Sequence, residues 1–206
     1  MPILLTGFNP FAGAEINSSQ LVVEHFARRH SLYPRLIPVV LPTEYEAAGR
    51  SICALIREYQ PSVVLALGVA QNRTSISLER VALNLDDSNI PDNAGVIARG
   101  RLIDPDAPLA YWSTLPLEKM LEALGRNNIP AVISNHAGAF VCNHVFFTAR
   151  HEIASLGWPT YCGFIHVPAL AEVGKPDLIG LPLRTLIAAV ECCLEVVEVL
   201  GQNVEE

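Results

Sequence analysis

Leu36–Gly68, LIPVVLPTEYEAAGRSICALIREYQPSVVLALG, is the stretch whose reading decides the fold. Leu36–Leu41 is a short apolar run with strand character, and Val63–Leu67 is a second, bounded by Pro61 and Gly68. Between them Thr43 leads into a helix through Ala47, Ile52, Leu55 and Ile56. Two apolar strands joined by a helix form the repeating unit of a sheet with helices packed on its faces.

The same alternation extends in both directions. Upstream, Ile3–Thr6 ends at Gly7 as a buried strand, and Ser18 or Ser19 can cap a helix carrying Leu21, Val22, His25 and Phe26 on one face. Downstream, Leu117–Leu124 reads as a helix, Ala131–Ser134 as a strand, Asn143–Leu156 as a helix and Thr160–Val167 as a strand. Leu183–Leu200 places Leu186, Ile187, Val190, Leu194 and Val197 on one face, with Glu191, Glu195 and Glu198 on the other. From Gly68 to about Pro116 the pattern breaks into Asn, Asp, Gly and Pro with short β-like pieces, Ser75–Leu85 and Val96–Arg101. That segment reads as a β-hairpin excursion over the sheet edge. The expected fold is α/β: one α/β/α sandwich domain spanning residues 1–206, with an open, mostly parallel, mixed central sheet.

Composition narrows the function. Half the residues are hydrophobic and only 17% are charged, which suits a chain with a large interior. The net charge of −7, without basic clusters, argues against nucleic acid or an anionic membrane as partner. No apolar run reaches the roughly 18 residues of a membrane span. The N-terminus lacks the basic lead and long apolar core of a secretory signal. The five cysteines, Cys53, Cys142, Cys162, Cys192 and Cys193, show no disulfide-scaffold spacing. A cytoplasmic protein is expected.

In an open α/β sheet, ligands gather where loops leave the strand ends. Four such places carry unusual polar content: Thr6–Phe11, Gly68–Arg73, Ser134–Asn143 and the neighbourhood of His166. Cys142 follows a strand and a Gly-containing loop at the start of a helix, where free N–H groups and the helix dipole favour a thiolate and could bind an oxyanion. A buried, inert thiol is the competing reading. His166, at the end of the strand in Phe164–Pro168, could pair with Cys142, or be a hydrogen-bonded core histidine. Glu79, in Ser77–Val81, could orient that imidazole, or be a surface carboxylate beside an arginine. Cys142, His144, Cys162 and His166 are soft ligands, but no compact zinc spacing joins them. There is also no phosphate loop or dinucleotide fingerprint. No metal and no cofactor are expected.

Over essentially its whole length the sequence resembles the pyroglutamyl peptidase I family. The matching residues are Thr6-Gly7-Phe8-Asn9-Pro10-Phe11, Leu41-Pro42-Thr43, Ser77-Leu78-Glu79-Arg80-Val81-Ala82-Leu83-Asn84 and Ile90-Pro91-Asp92-Asn93. Ala137-Gly138, Val141-Cys142-Asn143 and Gly163-Phe164-Ile165-His166-Val167-Pro168 continue the series. The resemblance implies a cysteine peptidase removing N-terminal pyroglutamate from peptides. Cys142 would be the nucleophile, His166 the general acid/base and Glu79 its orienter. It implies a substrate pocket lined by Phe8, Phe11 and Phe140, with Thr43 nearby, and a homo-oligomer, often a tetramer. An apolar pocket suits the ligand, because the pyroglutamyl nitrogen is locked in a neutral lactam.

Two departures stand out. The family's Arg before Ile-Pro-Asp-Asn is Asn89, while Arg73 keeps its family-like position; and Asn17-Ser18-Ser19 lacks the usual proline. Asn89 alone motivates an alternative, a lactam-binding relative with impaired turnover. A nucleoside- or phosphate-using enzyme on a comparable scaffold would need a cationic cradle, and these loops offer Arg73 and little else.

Overall fold

The computed structural model describes residues 2–171 and 180–202. In chain order the elements are β1 (Ile3–Phe8), α1 (Ser18–Ala27), β2 (Leu36–Leu41), α2 (Tyr45–Tyr59), β3 (Val63–Ala70) and β4 (Ile76–Leu83). They continue with β5 (Ala110–Trp112), α3 (Leu117–Arg126), β6 (Ala131–His136), α4 (Val141–Leu156), β7 (Tyr161–Pro168) and α5 (Leu183–Gln202). The strands form one seven-stranded sheet in the order β2-β1-β3-β7-β4-β5, with β6 paired to β4.

β2, β1, β3 and β7 run parallel, and their apolar runs are covered on both faces, as buried parallel strands require. One core contains Val22 and Phe26 of α1, Met120 and Leu124 of α3, and Leu186, Val190 and Val197 of α5. The other contains Ile52 and Ile56 of α2 and Val145, Phe146 and Ile153 of α4. The architecture is the expected α/β/α arrangement around a mixed sheet. Among the described residues no helix is long and apolar enough to cross a membrane.

The segment expected to be an excursion goes deeper than its composition suggests. β4 lies inside the sheet: Ser77–Glu79 pairs antiparallel with β7 while the same residues pair parallel with β6. The antiparallel return, β5, pairs with Val81–Leu83 of β4 after a long connection. Val96–Arg101 forms no strand; an isolated bridge joins Arg101 to Asp86. Polar Ser77 and Glu79 give β4 the alternation of a half-exposed strand, yet both are fully buried.

Helix starts are also set differently from the local reading. Asn17, not Ser18 or Ser19, caps α1: its Oδ1 accepts from Ser19 N at 3.0 Å. α2 begins at Tyr45 without a side-chain cap from its neighbour Glu44. Its cap comes from far along the chain, where buried Asp92 Oδ2 accepts from Tyr45 N at 2.9 Å. Asp92 Oδ1 also accepts from Ala94 N at 3.0 Å and Val96 N at 2.8 Å. Asp92→Ala strands these donors and is expected to lower stability by about 2–4 kcal/mol, measured by urea unfolding. A loss below about 0.5 kcal/mol would show that the loop caps α2 without this carboxylate.

Candidate active site

The register of three strands puts the chemistry in one row. His166 on β7 pairs with Gly68 on β3 and, on its other side, with Ser77 on β4. Register partners share a face of a sheet, so these positions face the same side. Glu79 lies two residues beyond Ser77 and therefore on that face as well.

Glu79 Oε1 is 2.7 Å from His166 Nδ1. A carboxylate can only accept, so Nδ1 carries the proton and Nε2 is left free to take one. Arg73, on the loop after β3, donates to the same oxygen at 2.8 Å. Burial alone would raise the Glu79 pKa, but the hydrogen bond and charge of His166, helped by the Ser134 hydroxyl and then Arg73, hold it below the ordinary carboxylate value. The buried carboxylate is thus an anion with two cationic or donor partners.

Cys142 reaches this row from the opposite layer. After β6 the chain turns at Gly138, whose φ of 83° lies in the left-handed region that glycine adopts freely. α4 then starts at Val141, two residues earlier than periodicity suggests, which places Cys142 in its first turn. The sulfur rests over Gly68: a Cβ there would lie 2.7 Å from Sγ and 2.8 Å from the Phe164 ring. Among the described residues the sulfur makes no hydrogen bond to His166; it lies over Gly68, the register partner of His166. Gly68→Ala is expected to push the sulfur aside and lower kcat roughly 10- to 100-fold, since misplacing a reacting atom by about 1 Å costs up to that much. Unchanged kcat in this variant would mean the sulfur need not sit there.

The thiol is not the ready thiolate that its helix position suggests. Burial first, and then the negative charge of Glu79, push Cys142 up to about 12. At neutral pH the sulfur therefore rests protonated. Phe140 precedes α4 without a side-chain cap, and the first N–H used inside the helix is that of His144, bonded to Phe140 O at 3.1 Å. The N–H groups of Val141, Cys142 and Asn143 are thus positioned as donors for an anionic oxygen.

Of the four expected pocket residues, Phe11 and Phe140 meet each other. The Phe11 and Phe140 rings lie 5.7 Å apart, and Tyr45 meets Phe140 edge-on at 5.5 Å. Phe8 is buried against Phe164 at 6.4 Å, and Thr43 is buried as well. Thr43 N donates to Asn9 Oδ1 at 2.7 Å and its hydroxyl donates to Asn9 O at 2.8 Å. Asn93 ties in the remaining loop, donating to Pro10 O at 2.9 Å.

Several site-building residues escaped the local reading. Asn143, fully buried, accepts from Leu83 N and donates to Leu83 O and Leu85 O, all at 2.9 Å. His144, by residue type a possible metal ligand, instead donates to buried Asp86, at 3.0 Å to Oδ2, and Asp86 is also held by Arg101 at 3.1 Å. These contacts pin both residues following Cys142 to the end of β4. The available signal is an Asn-His pair in the first turn of the helix, directly ahead of the apolar Val145-Phe146-Phe147. Asn89 accepts from the guanidinium of Arg99, and both side chains are exposed. Among the described residues no three His, Cys, Asp or Glu side chains converge as a metal site.

Comparisons with known proteins place the chain in one family. The model of the family described as pyroglutamyl peptidase matches residues 1–199. A pyrrolidone-carboxylate peptidase of Gloeobacter violaceus is 40% identical over 198 residues, covering 95% of this chain and 96% of that protein. One from Bacillus cytotoxicus is 34% identical over 206 residues, covering 99% and 96%. Crystal structures of pyrrolidone carboxyl peptidase from Pyrococcus furiosus superpose with a TM-score of 0.88 at 33% identity, covering 97% of this chain and 100% of that one.

Proposed function

Because the chain belongs to the pyroglutamyl peptidase family, a family of cysteine peptidases, we propose that it removes N-terminal pyroglutamyl residues from peptides through Cys142, His166 and Glu79. The observation that carries this reading is the row Gly68–His166–Ser77, with the sulfur over its first member and the Glu79 carboxylate bonded to its second.

In this reading the neutral lactam enters the slot between Phe11 and Phe140, above Phe8 and near Thr43. As the sulfur attacks the pyroglutamyl carbonyl, His166 Nε2 takes the thiol proton. The resting thiol is protonated, so base and nucleophile act together rather than as a preformed ion pair. The developing oxyanion meets the N–H groups at the start of α4. Glu79 stabilises the imidazolium, which then gives its proton to the leaving amine. A water activated by His166 cleaves the thioester, releasing pyroglutamate and the free thiol. These steps use no metal or cofactor. Cytoplasmic residence, absence of a nucleic-acid or membrane partner, and a homo-oligomer, a tetramer by resemblance, complete the proposal.

The impaired-relative reading rests on Asn89 alone, and neither the family match nor the relatives lend it support. Turnover of a pyroglutamyl arylamide, beside alanyl and prolyl arylamides, tests the assignment. Selective release from the pyroglutamyl compound is expected; equal release from all three would overturn it.

A further inference from the structure

The catalytic row does not end at His166. Ser77, its partner on β4, pairs in turn with Val132 on β6, so Gly68, His166, Ser77 and Val132 follow one another across the sheet on one face. Beyond His166 that face borders an open cavity of about 450 Å³, bounded by Asn72, Arg73, Ser75, Ser77, Val132 and Ser134 among others. Its side chains are mostly hydroxyls and amides, and Arg73 is the one charged residue bounding it. Ser77 at its base is fully buried, and its Oγ has no partner among the described residues. A buried hydroxyl left without a partner is unfavourable unless something else bonds to it.

We propose that this groove is the subsite for the leaving peptide, holding about the first three residues after pyroglutamate. The inference rests on the peptidase reading. The aromatic slot lies on the β1 side of the sulfur, since Phe8 ends β1 beside β3 and Phe11, which meets Phe140, follows three residues later. His166 lies on the other side and must face the departing amine to protonate it. The peptide therefore leaves past His166, and the surface it meets next is that of Ser77, Val132 and Ser134. From β7 to β6 is two strand spacings, about 10 Å, which an extended peptide spans in about three residues. The hydroxyls and amides there match the donors and acceptors of a peptide backbone rather than one kind of side chain. The groove thus reads length more than sequence.

The test is steady-state kinetics on C-terminally amidated pyroglutamyl peptides with one to five following alanines, beside a pyroglutamyl arylamide. The wild-type kcat/KM is expected to rise about tenfold or more up to three alanines and then level. In Val132→Trp, or in Ser75→Trp from the other wall, the indole fills the groove and the rise with length is expected to shrink to less than threefold. The one-alanine peptide reports in each variant whether the catalytic centre is intact. A wild-type series that is flat from the first alanine overturns the proposal while leaving the peptidase reading in place. Inactivity on every pyroglutamyl compound overturns that reading and the proposal with it.

Discussion

Replacing Cys142 with alanine is expected to lower turnover of a pyroglutamyl arylamide by roughly a hundred-thousand-fold, because the variant has no atom with which to form the acyl bond. The fold should persist. The side chain is partly buried, sits in the first turn of α4, and rests its sulfur over Gly68. Losing one buried sulfur costs about 1 kcal/mol in transfer terms. Urea unfolding of the variant should therefore stay within about 2 kcal/mol of wild type. Activity within tenfold of wild type would remove Cys142 from the chemistry.

The second large effect is expected at Glu79. Glu79→Gln keeps the shape but replaces an obligate acceptor with an amide that can donate to Nδ1, which favours the wrong imidazole tautomer. Loss of the anion also removes the charge that stabilises the imidazolium. Together these should lower kcat roughly 1,000- to 10,000-fold, with a much smaller change in KM. The stability consequence has a definite sign. The Glu79 carboxyl is held below its ordinary 4.5 in the folded chain. Its stabilisation is therefore present above that value and is lost as the pH falls through it toward the lower folded value. Wild type should accordingly lose stability on acidification from about pH 5 downward more steeply than Glu79→Gln. Parallel acid profiles, or a kcat within tenfold of wild type, would contradict the role.

The parallel half of the sheet was legible because apolar runs such as Val63–Leu67 and Thr160–Val167 have no reading other than burial. β4 was not. Its Ser77 and Glu79 imitate the alternation of a solvent-facing strand, yet that polar face is turned inward to meet His166. A local rule broken in this way marks a functional strand. The helix caps fail for another reason: Asp92 caps α2 across 47 residues, and no local window contains both partners. The expected site residues could be named from the residues and the family resemblance. Their ionisation could not, because the thiol is set by burial and by Glu79 rather than by the helix start. The residues that hold α4 in place, Asn143 and His144, bond to Leu83 and Asp86, 60 and 58 positions away in sequence. Pattern and spacing carry no trace of such pairs.

The most direct measurement is of the acyl-enzyme itself. Enzyme turning over a pyroglutamyl peptide is quenched in acid, digested, and the peptide containing Cys142 is weighed. The mechanism predicts a pyroglutamyl thioester on Cys142 that is chased away by neutral water and never forms in Cys142→Ala. A thioester on any other cysteine, or continued turnover by Cys142→Ala with no acyl group on the protein, would contradict it.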